Sequence, residues 1–292
     1  MVNCRPLPAC LTRIIGALLL VLLTGCSAVK LGYNNAASLS YWWLDGYIDF
    51  TDAQAQPARD SLAAVHAWHR QHELPALADL LQQMQTLAAG DVTPQQVCAL
   101  TVPIRQHLRR VAAQVAEGMA RIVPTLQPTQ LEHLAEQFEK HNQKWREEWL
   151  DGTPTELRER RLEHTLDRYE SFYGRLSDAQ KTLLRQRIAA SSYDPRLAWA
   201  ERLRRQHDML RVLQEYRGAD RPPRVQAELL ALLQRTLESP EPEYRQQFER
   251  TLQEGCQTLA LIHNGASAAQ RRQLIDRLRG YETDFRTLAA EK

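Results

Sequence analysis

The chain has 292 residues, of which 37 are basic and 35 are acidic. Residues 1–25 hold two arginines and no acid, so the part from Cys26 onwards is formally neutral, with 35 charges of each sign. This balance gives no electrostatic support to a nucleic-acid partner. The 267 residues from Cys26 onwards are enough to bury a large apolar core in one domain.

The first predicted element is a targeting segment. Arg5 and Arg13 come before the apolar run IIGALLLVLL. About ten apolar residues are too few for a membrane-spanning helix, which needs roughly 20. A basic start, a short apolar stretch and small residues at a cleavage site are typical of a secretory signal peptide. We therefore predict that residues 1–25 are a cleaved signal peptide.

The residues LTGC at 23–26 resemble the lipobox of bacterial lipoproteins. The resemblance implies that the thiol of Cys26 carries an acyl group such as palmitate and that Cys26 becomes the first residue of the mature protein. An ordinary cleavage site followed by a coincidental cysteine is the alternative. Ser27 follows the cysteine, and by resemblance to lipoproteins of bacteria with two membranes this favours the outer membrane. A lipid anchors a protein without making it span the bilayer.

The sequence after the anchor predicts an all-α protein. Apolar residues recur at helical spacing, and no alternating β pattern of useful length occurs. We predict a lipidated tether over residues 26–34 and then a single elongated domain over 35–292. Its roughly ten helices are expected at 35–49, 52–89, 94–124, 128–150, 154–173, 177–191, 195–218, 223–238, 241–263 and 267–290. Pro75 and Pro103 should kink or divide the two helices that contain them.

Several predicted helices begin with the pattern S/T-x-x-Q. In such a capping box the hydroxyl accepts the third amide of the helix, and the glutamine side chain reaches back to the cap residue's amide. The irregular spacing of these sites predicts no sequence repeat. The pattern also resembles the LTxxQ signature of small periplasmic stress chaperones, although helix capping explains it. The sites are TDAQ (51–54), TPQQ (93–96), SDAQ (177–180) and SAAQ (267–270), with TPTE (153–156) and QPTQ (127–130) as relatives.

The segment SYWWLDGYIDFTD at 40–52 combines aromatic rings with carboxylates. On one continuous helix Asp45, Asp49 and Asp52 would share a face. The segment could bind sugar or peptidoglycan, or supply an acid and a base. Its rings could instead lie at the membrane interface. In the third interpretation it is a docking helix with buried rings and aspartates facing water. The candidate partner-binding residues are Tyr41, Trp42, Trp43, Asp45 and Asp49.

The histidines His66, His69 and His72 follow at steps of three, with Glu73 beside them. They share a broad helix face, so a metal site is geometrically possible. Zinc sites usually need an i, i+4 pair or ligands from a second helix, and no matching cluster can be assigned. We predict no metal and retain the three histidines as weak candidates; a solvated or partner-facing stripe is the expectation.

The cysteines predict one disulfide. Cys4 and Cys10 leave with the signal peptide and Cys26 takes the lipid, so Cys98 and Cys256 remain. An even number of cysteines in an oxidising compartment favours a bridge, and two separate buried thiols are the alternative.

No assembled catalytic motif is present: the chain has no Gly-rich phosphate loop, G-x-S-x-G elbow or H-E-x-x-H. Glu148 next to Trp149 is a weak match to the isolated catalytic glutamate of helical peptidoglycan lyases. We expect a non-catalytic scaffold or binding protein of the cell envelope, with an envelope protein as partner and no cofactor besides the lipid on Cys26. The alternatives are an enzyme acting on peptidoglycan or lipid through Asp45, Asp49 or Glu148, and a metal-binding or chaperone-like protein.

Three blocks carry a family resemblance. They are GCSAVKLGYNNAASLSYWWLDGYIDFTDAQ, then WHRQHELP (68–75), and LIHNGASAAQRRQLIDRLRGYETDF (261–285). Together they resemble the proteobacterial lipoprotein family filed as domain of unknown function 6279. The resemblance implies an all-helical lipoprotein of the envelope and, apart from lipidation at Cys26, supplies no activity and no functional residue.

Overall fold

The computed structural model describes residues 28–219 and 222–291, which contain helices and no strand. The all-α prediction is therefore confirmed for this part of the chain. The predicted signal peptide and Cys26 lie outside the described residues. The chain divides into two units. The first, Met1–Ala36, holds helix α1 (Ala28–Asn34), and the second, Ala37–Lys292, holds the helices that follow, apart from Ala36, the first residue of the next helix.

Twelve α-helices and one 3-10 helix follow α1 in the described residues, close to the predicted ten. The 3-10 helix, Val123–Thr125, separates α6 from α7. The α-helices are α2 (Ala36–Ile48), α3 (Asp52–His72), α4 (Leu74–Ala88), α5 (Pro94–Ala99), α6 (Thr101–Ile122), α7 (Pro128–Trp149), α8 (Pro154–Tyr173), α9 (Asp178–Ala189), α10 (Pro195–Tyr216), α11 (Pro222–Leu237), α12 (Pro242–Asn264) and α13 (Ala268–Ala290).

The two internal prolines mark helix divisions, as expected. The predicted helix 52–89 is divided at Glu73, and Pro75 lies in the first turn of α4. The predicted helix 94–124 is divided at Leu100, and Pro103 lies in the first turn of α6. A first turn tolerates proline because its N–H groups have no partner within the helix.

The capping boxes fix the helix starts and also join helices to one another. The side chains of Gln54 and Gln130 bond each other through both amides, at 3.1 and 2.8 Å. Gln180 and Gln270 do the same at 3.2 and 3.0 Å. Each of the four also accepts the N–H of its own cap residue. The starts of α3 and α7 therefore lie side by side, as do those of α9 and α13.

The second unit contains two clusters of buried apolar side chains. The first cluster lies between α6, α7, α10 and α11 and includes Leu134, Val212 and Leu229. The second cluster lies between α8, α9 and α12 and includes Leu162, Leu184 and Ile262. Helix α4 packs along α13, which in turn contacts α8. None of the described helices is both long enough and apolar enough to cross a bilayer.

Candidate functional site

A cavity of about 520 Å³ lies beside the second cluster. Its walls are α4, α5, α8, α9, α12 and α13, and most of the lining side chains are apolar, including Met84, Leu87, Val97, Phe172, Leu259 and Leu274. The volume falls within the roughly 300–1,000 Å³ that is usual for small-molecule sites, and such sites combine apolar walls with a few polar groups. This cavity is the candidate functional site.

The polar groups of one end of the cavity belong to α8, α12 and the segment after α9. The guanidinium of Arg161 donates to Ser191 Oγ at 3.2 Å and lies over the Tyr193 ring, 4.5 Å from its centroid. Ser191 Oγ donates to Glu254 at 2.9 Å, and the backbone N–H of Ser192 donates to the same carboxylate at 3.0 Å. These contacts hold Arg161 at the cavity wall.

The charges at the cavity do not cancel. Arg161, Arg168 and Arg187 line it, whereas Glu254 is the one carboxylate among its described lining residues. Burial lowers the pKa of Arg161, because a partly desolvated cation is less stable than one in water. Burial acts to raise the pKa of Glu254, but hydrogen bonds from Ser192 and Ser191 and the charge of Arg187 hold it below its usual value. The lining therefore carries net positive charge.

The opposite end of α8 carries a hydrogen-bonded pair of rings. His263 Nε2 lies 2.8 Å from the carbonyl oxygen of Gly90, so this nitrogen carries a proton and donates. Burial lowers the pKa of His263, so the ring is neutral and Nδ1 accepts from the Tyr173 hydroxyl at 3.0 Å. Burial also raises the pKa of Tyr173, and that of Tyr169 to about 12. The hydrogen bond between Tyr173 and His263 therefore gives each side chain a partner. The bond from His263 to Gly90 connects α12 to the segment after α4.

The structure places Cys98 of α5 and Cys256 of α12 at disulfide distance, with Cα atoms 5.5 Å apart. Their sequence neighbours Val97 and Gly255 line the cavity. The cysteine pair therefore lies between two walls of the candidate site.

The aromatic segment matches the docking-helix expectation only in part. Trp42 and Trp43 are 76% and 62% exposed, so their rings are not buried in the domain. Tyr41, in contrast, is buried; it stacks on Phe50 at 5.7 Å and lies under the guanidinium of Arg59. Tyr47 also packs on the domain, against Phe138 and His141. Two rings therefore fix α2 to the domain, and the two tryptophans face outwards.

The expectation that three aspartates share a helix face was wrong. Helix α2 ends at Ile48, and Asp49 has a positive φ of 56°. Asp45 Oδ1 accepts the backbone N–H of Phe50 at 3.0 Å, which stabilises the end of this helix. Asp52 is already the first residue of α3.

The three histidines are each engaged in other contacts. His69 packs edge-on against His107, with ring centroids 5.2 Å apart. The His72 ring stacks on the Trp68 ring, and His72 Nδ1 lies 3.0 Å from the carbonyl oxygen of Trp68. His66 also has contacts of its own. Across residues 28–219 and 222–291, no three His, Cys, Asp or Glu side chains form a group that could hold a metal ion.

Glu148 does not line the cavity. Its carboxylate lies on the surface, 3.1 Å from His164 Nε2.

Sequence reasoning missed the cavity residues, although one signal was present. Arg161, Thr165, Arg168 and Phe172 follow at steps of three or four and so share one face of α8. An arginine at the start of a half-apolar face is unusual for a core helix. The sequence could not show that five other helices leave space in front of it.

Comparisons with known proteins place the chain in a family and add no activity. No curated protein and no solved structure shows significant similarity to it. The model of the family described as "Family of unknown function (DUF6279)" matches residues 46–245. This match covers more than half of the sequence, and the chain therefore belongs to the DUF6279 family.

Proposed function

We propose that this protein is a non-catalytic binding protein of the cell envelope that holds a small apolar ligand. The cavity between α4, α5, α8, α9, α12 and α13 carries the proposal, because its size and apolar walls suit a ligand that avoids water. Asp45, Asp49 and Glu148, the carboxylates of the enzyme alternative, do not line this cavity.

A neutral fluorescent probe tests the cavity. N-phenyl-1-naphthylamine should brighten when it binds purified protein, because its emission rises in apolar surroundings. The Gly255→Trp substitution should weaken probe binding about tenfold, equivalent to about 1.4 kcal/mol. Gly255 lines the cavity, and a Cβ at this position meets no atom within 4 Å, so the new ring can enter the space without displacing backbone.

Gly280→Trp is the matched control. Gly280 also lies within a helix, α13, and also has open space around its Cβ position, but it does not line the cavity. Equal loss of probe binding in the two variants would rule out the cavity as the site. If the unaltered protein binds no probe, the proposed function itself is wrong.

The proposal includes a lipid anchor at Cys26 that holds the domain on the periplasmic face of the outer membrane. The LTGC sequence and Ser27 support it. Cells fed a clickable fatty acid should label the protein, and Cys26→Ser should abolish the label and release the protein from the outer-membrane fraction. Label that persists in the Cys26→Ser variant would contradict the anchor.

The exposed rings of Trp42 and Trp43 form the proposed contact with an envelope partner. Aromatic residues are enriched at protein interfaces, and two neighbouring exposed tryptophans are the largest such feature of α2. Tyr41 has no part in this contact because it is buried. Crosslinking in the labelled cells, with and without Trp42→Ala and Trp43→Ala, tests it.

A further inference from the structure

The polar end of the cavity holds a cation that forms no ion pair with the described residues. Arg161 donates to a hydroxyl, Ser191 Oγ, and stacks on a neutral ring, Tyr193. Within the described chain its guanidinium makes this hydrogen bond and this ring contact, and the charge of Glu254 acts on it from beyond ion-pair distance. Glu254 is near, yet its oxygens accept from Ser191 and the Ser192 N–H. A half-buried guanidinium that bonds a neutral acceptor can also bind an anion.

A second arginine strengthens this end of the cavity. Arg187 donates to Thr258 Oγ1 at 3.2 Å and to Gln257 Oε1 at 2.8 Å, both of them neutral groups. Among the described residues Arg187 likewise forms no ion pair, although its charge acts on Glu254. The net charge of this end is positive even with Glu254 ionised.

The rest of the lining has the shape and chemistry for a chain. Lining residues run along α8 from Arg161 to Tyr173, a distance of about 18 Å at 1.5 Å per residue. The walls beside this stretch are mostly apolar, with Leu184, Ile188 and Leu259 among them. Arg168, whose side chain is exposed, is the one charged lining residue between the two ends of the stretch. The polar atoms at the far end belong to Tyr173 and His263, which bond each other and the backbone. They therefore need no hydrogen-bond partner from a ligand.

We propose that the ligand is an amphiphile with one anionic headgroup, a carboxylate or a phosphate, bound by Arg161 and Arg187, and with an apolar chain lying along α8. This inference rests on the proposed function, since it requires that the cavity binds a ligand. The headgroup replaces the water around two guanidinium groups, and the chain covers the apolar walls.

Competition for the neutral probe tests the charge preference. Dodecanoate, dodecyl phosphate, dodecanol and dodecyltrimethylammonium share one chain length and differ in headgroup. At concentrations below micelle formation, the two anions should displace N-phenyl-1-naphthylamine at about tenfold lower concentration than dodecanol, because hydrogen bonds to charged groups are the stronger ones. The cation should compete least.

Substitutions of the two arginines test where the headgroup binds. Arg161→Gln and Arg187→Gln together should abolish the preference for the anions over dodecanol, and an unchanged helical circular dichroism spectrum shows that the fold is intact. Arg158→Gln is the matched control, because Arg158 lies one turn away on α8, is exposed and does not line the cavity. This control should keep the full preference.

The outcomes separate the two proposals. If the probe binds but dodecanol competes as well as dodecanoate and dodecyl phosphate, the anionic ligand is overturned and the apolar binding function stands. A preference for the anions that survives in the double arginine variant overturns the headgroup site. If no probe binds at all, both proposals fall.

Discussion

Reduction of the Cys98–Cys256 pair is expected to lower the free energy of unfolding by about 2–5 kcal/mol. The two residues are 158 positions apart, and in the chain-entropy model a loop of this length gives an upper value of about 5 kcal/mol. The effect should be smaller in practice, since an unfolded chain keeps residual structure. Urea unfolding with and without reductant measures it.

A double variant serves as the control for the reductant. Cys98→Ser combined with Cys256→Ser should have the stability of the reduced protein and should not respond to reductant. Mass spectrometry provides the direct assay: if both thiols of the unreduced, denatured protein react with an alkylating agent, the bridge does not exist. The same variants should weaken binding of the neutral probe, because the pair connects α5 and α12, two walls of the cavity.

The second large effect is expected in acid. Hydrogen bonds from Arg110 at 2.7 and 2.8 Å, and from His107 at 2.7 Å, lower the pKa of Glu73 from 4.5 to about 2. The unfolded chain therefore binds this proton at a higher pH than the folded protein does. The stabilisation is fully present above pH 4.5 and is lost as the pH falls towards 2.

The free energy of unfolding should fall by about 2–3 kcal/mol over this window. The figure follows from about 1.36 kcal/mol per pKa unit and is reduced because solvent around Arg110 screens the interaction. Urea unfolding at several pH values between 5 and 2 should show this slope. Glu73→Gln should be less stable at pH 5 and should show a flatter dependence in this window. An unchanged slope in the Glu73→Gln variant would exclude this carboxylate as the cause.

A neighbouring group acts in a pH window that begins higher. Burial, assisted by the charge of His107, lowers the pKa of His69 from 6.5 to about 4. A histidine that stays neutral in the folded state stabilises it above its unfolded pKa, so stability also declines as the pH falls from 6.5 towards 4. The charge of Glu73 raises the pKa of His69, so Glu73→Gln should deepen this decline and not remove it. The opposite responses of the two groups to the substitution distinguish them.

The features predicted correctly from sequence are local ones. Ser177 and Gln180 predict a helix start because their hydrogen bonds involve residues three positions apart. Pro75 predicts a division for an equally local reason. The end of α2 was predicted at 49, one residue from the observed Ile48, but the contacts that form it were not: Asp45 accepts the N–H of Phe50, and Asp49 has a left-handed conformation. Tertiary contacts also decide which ring is buried: Arg59 and Phe50 hold Tyr41 and leave Trp42 outside.

The candidate site could not be predicted from the sequence. Its walls come from six helices that extend from Met84 to Leu278 in the chain. Arg161 acquires its role from Ser191 and Tyr193, which are about 30 positions away and follow a different helix. No spacing rule connects these residues, because the cavity is the volume that packing leaves unfilled.

The paired glutamines have a consequence for the order of folding. Gln54 and Gln130 are 76 positions apart, and Gln180 and Gln270 are 90 apart. Each helix start is capped by residues close in sequence. The side-chain hydrogen bonds between two paired glutamines, however, form only when the distant segment that carries the other glutamine has folded against the first. Such long-range closures raise contact order and slow folding. As the polypeptide grows from its amino terminus, α9 can form early, yet its start stays incomplete until residue 270 has joined the fold.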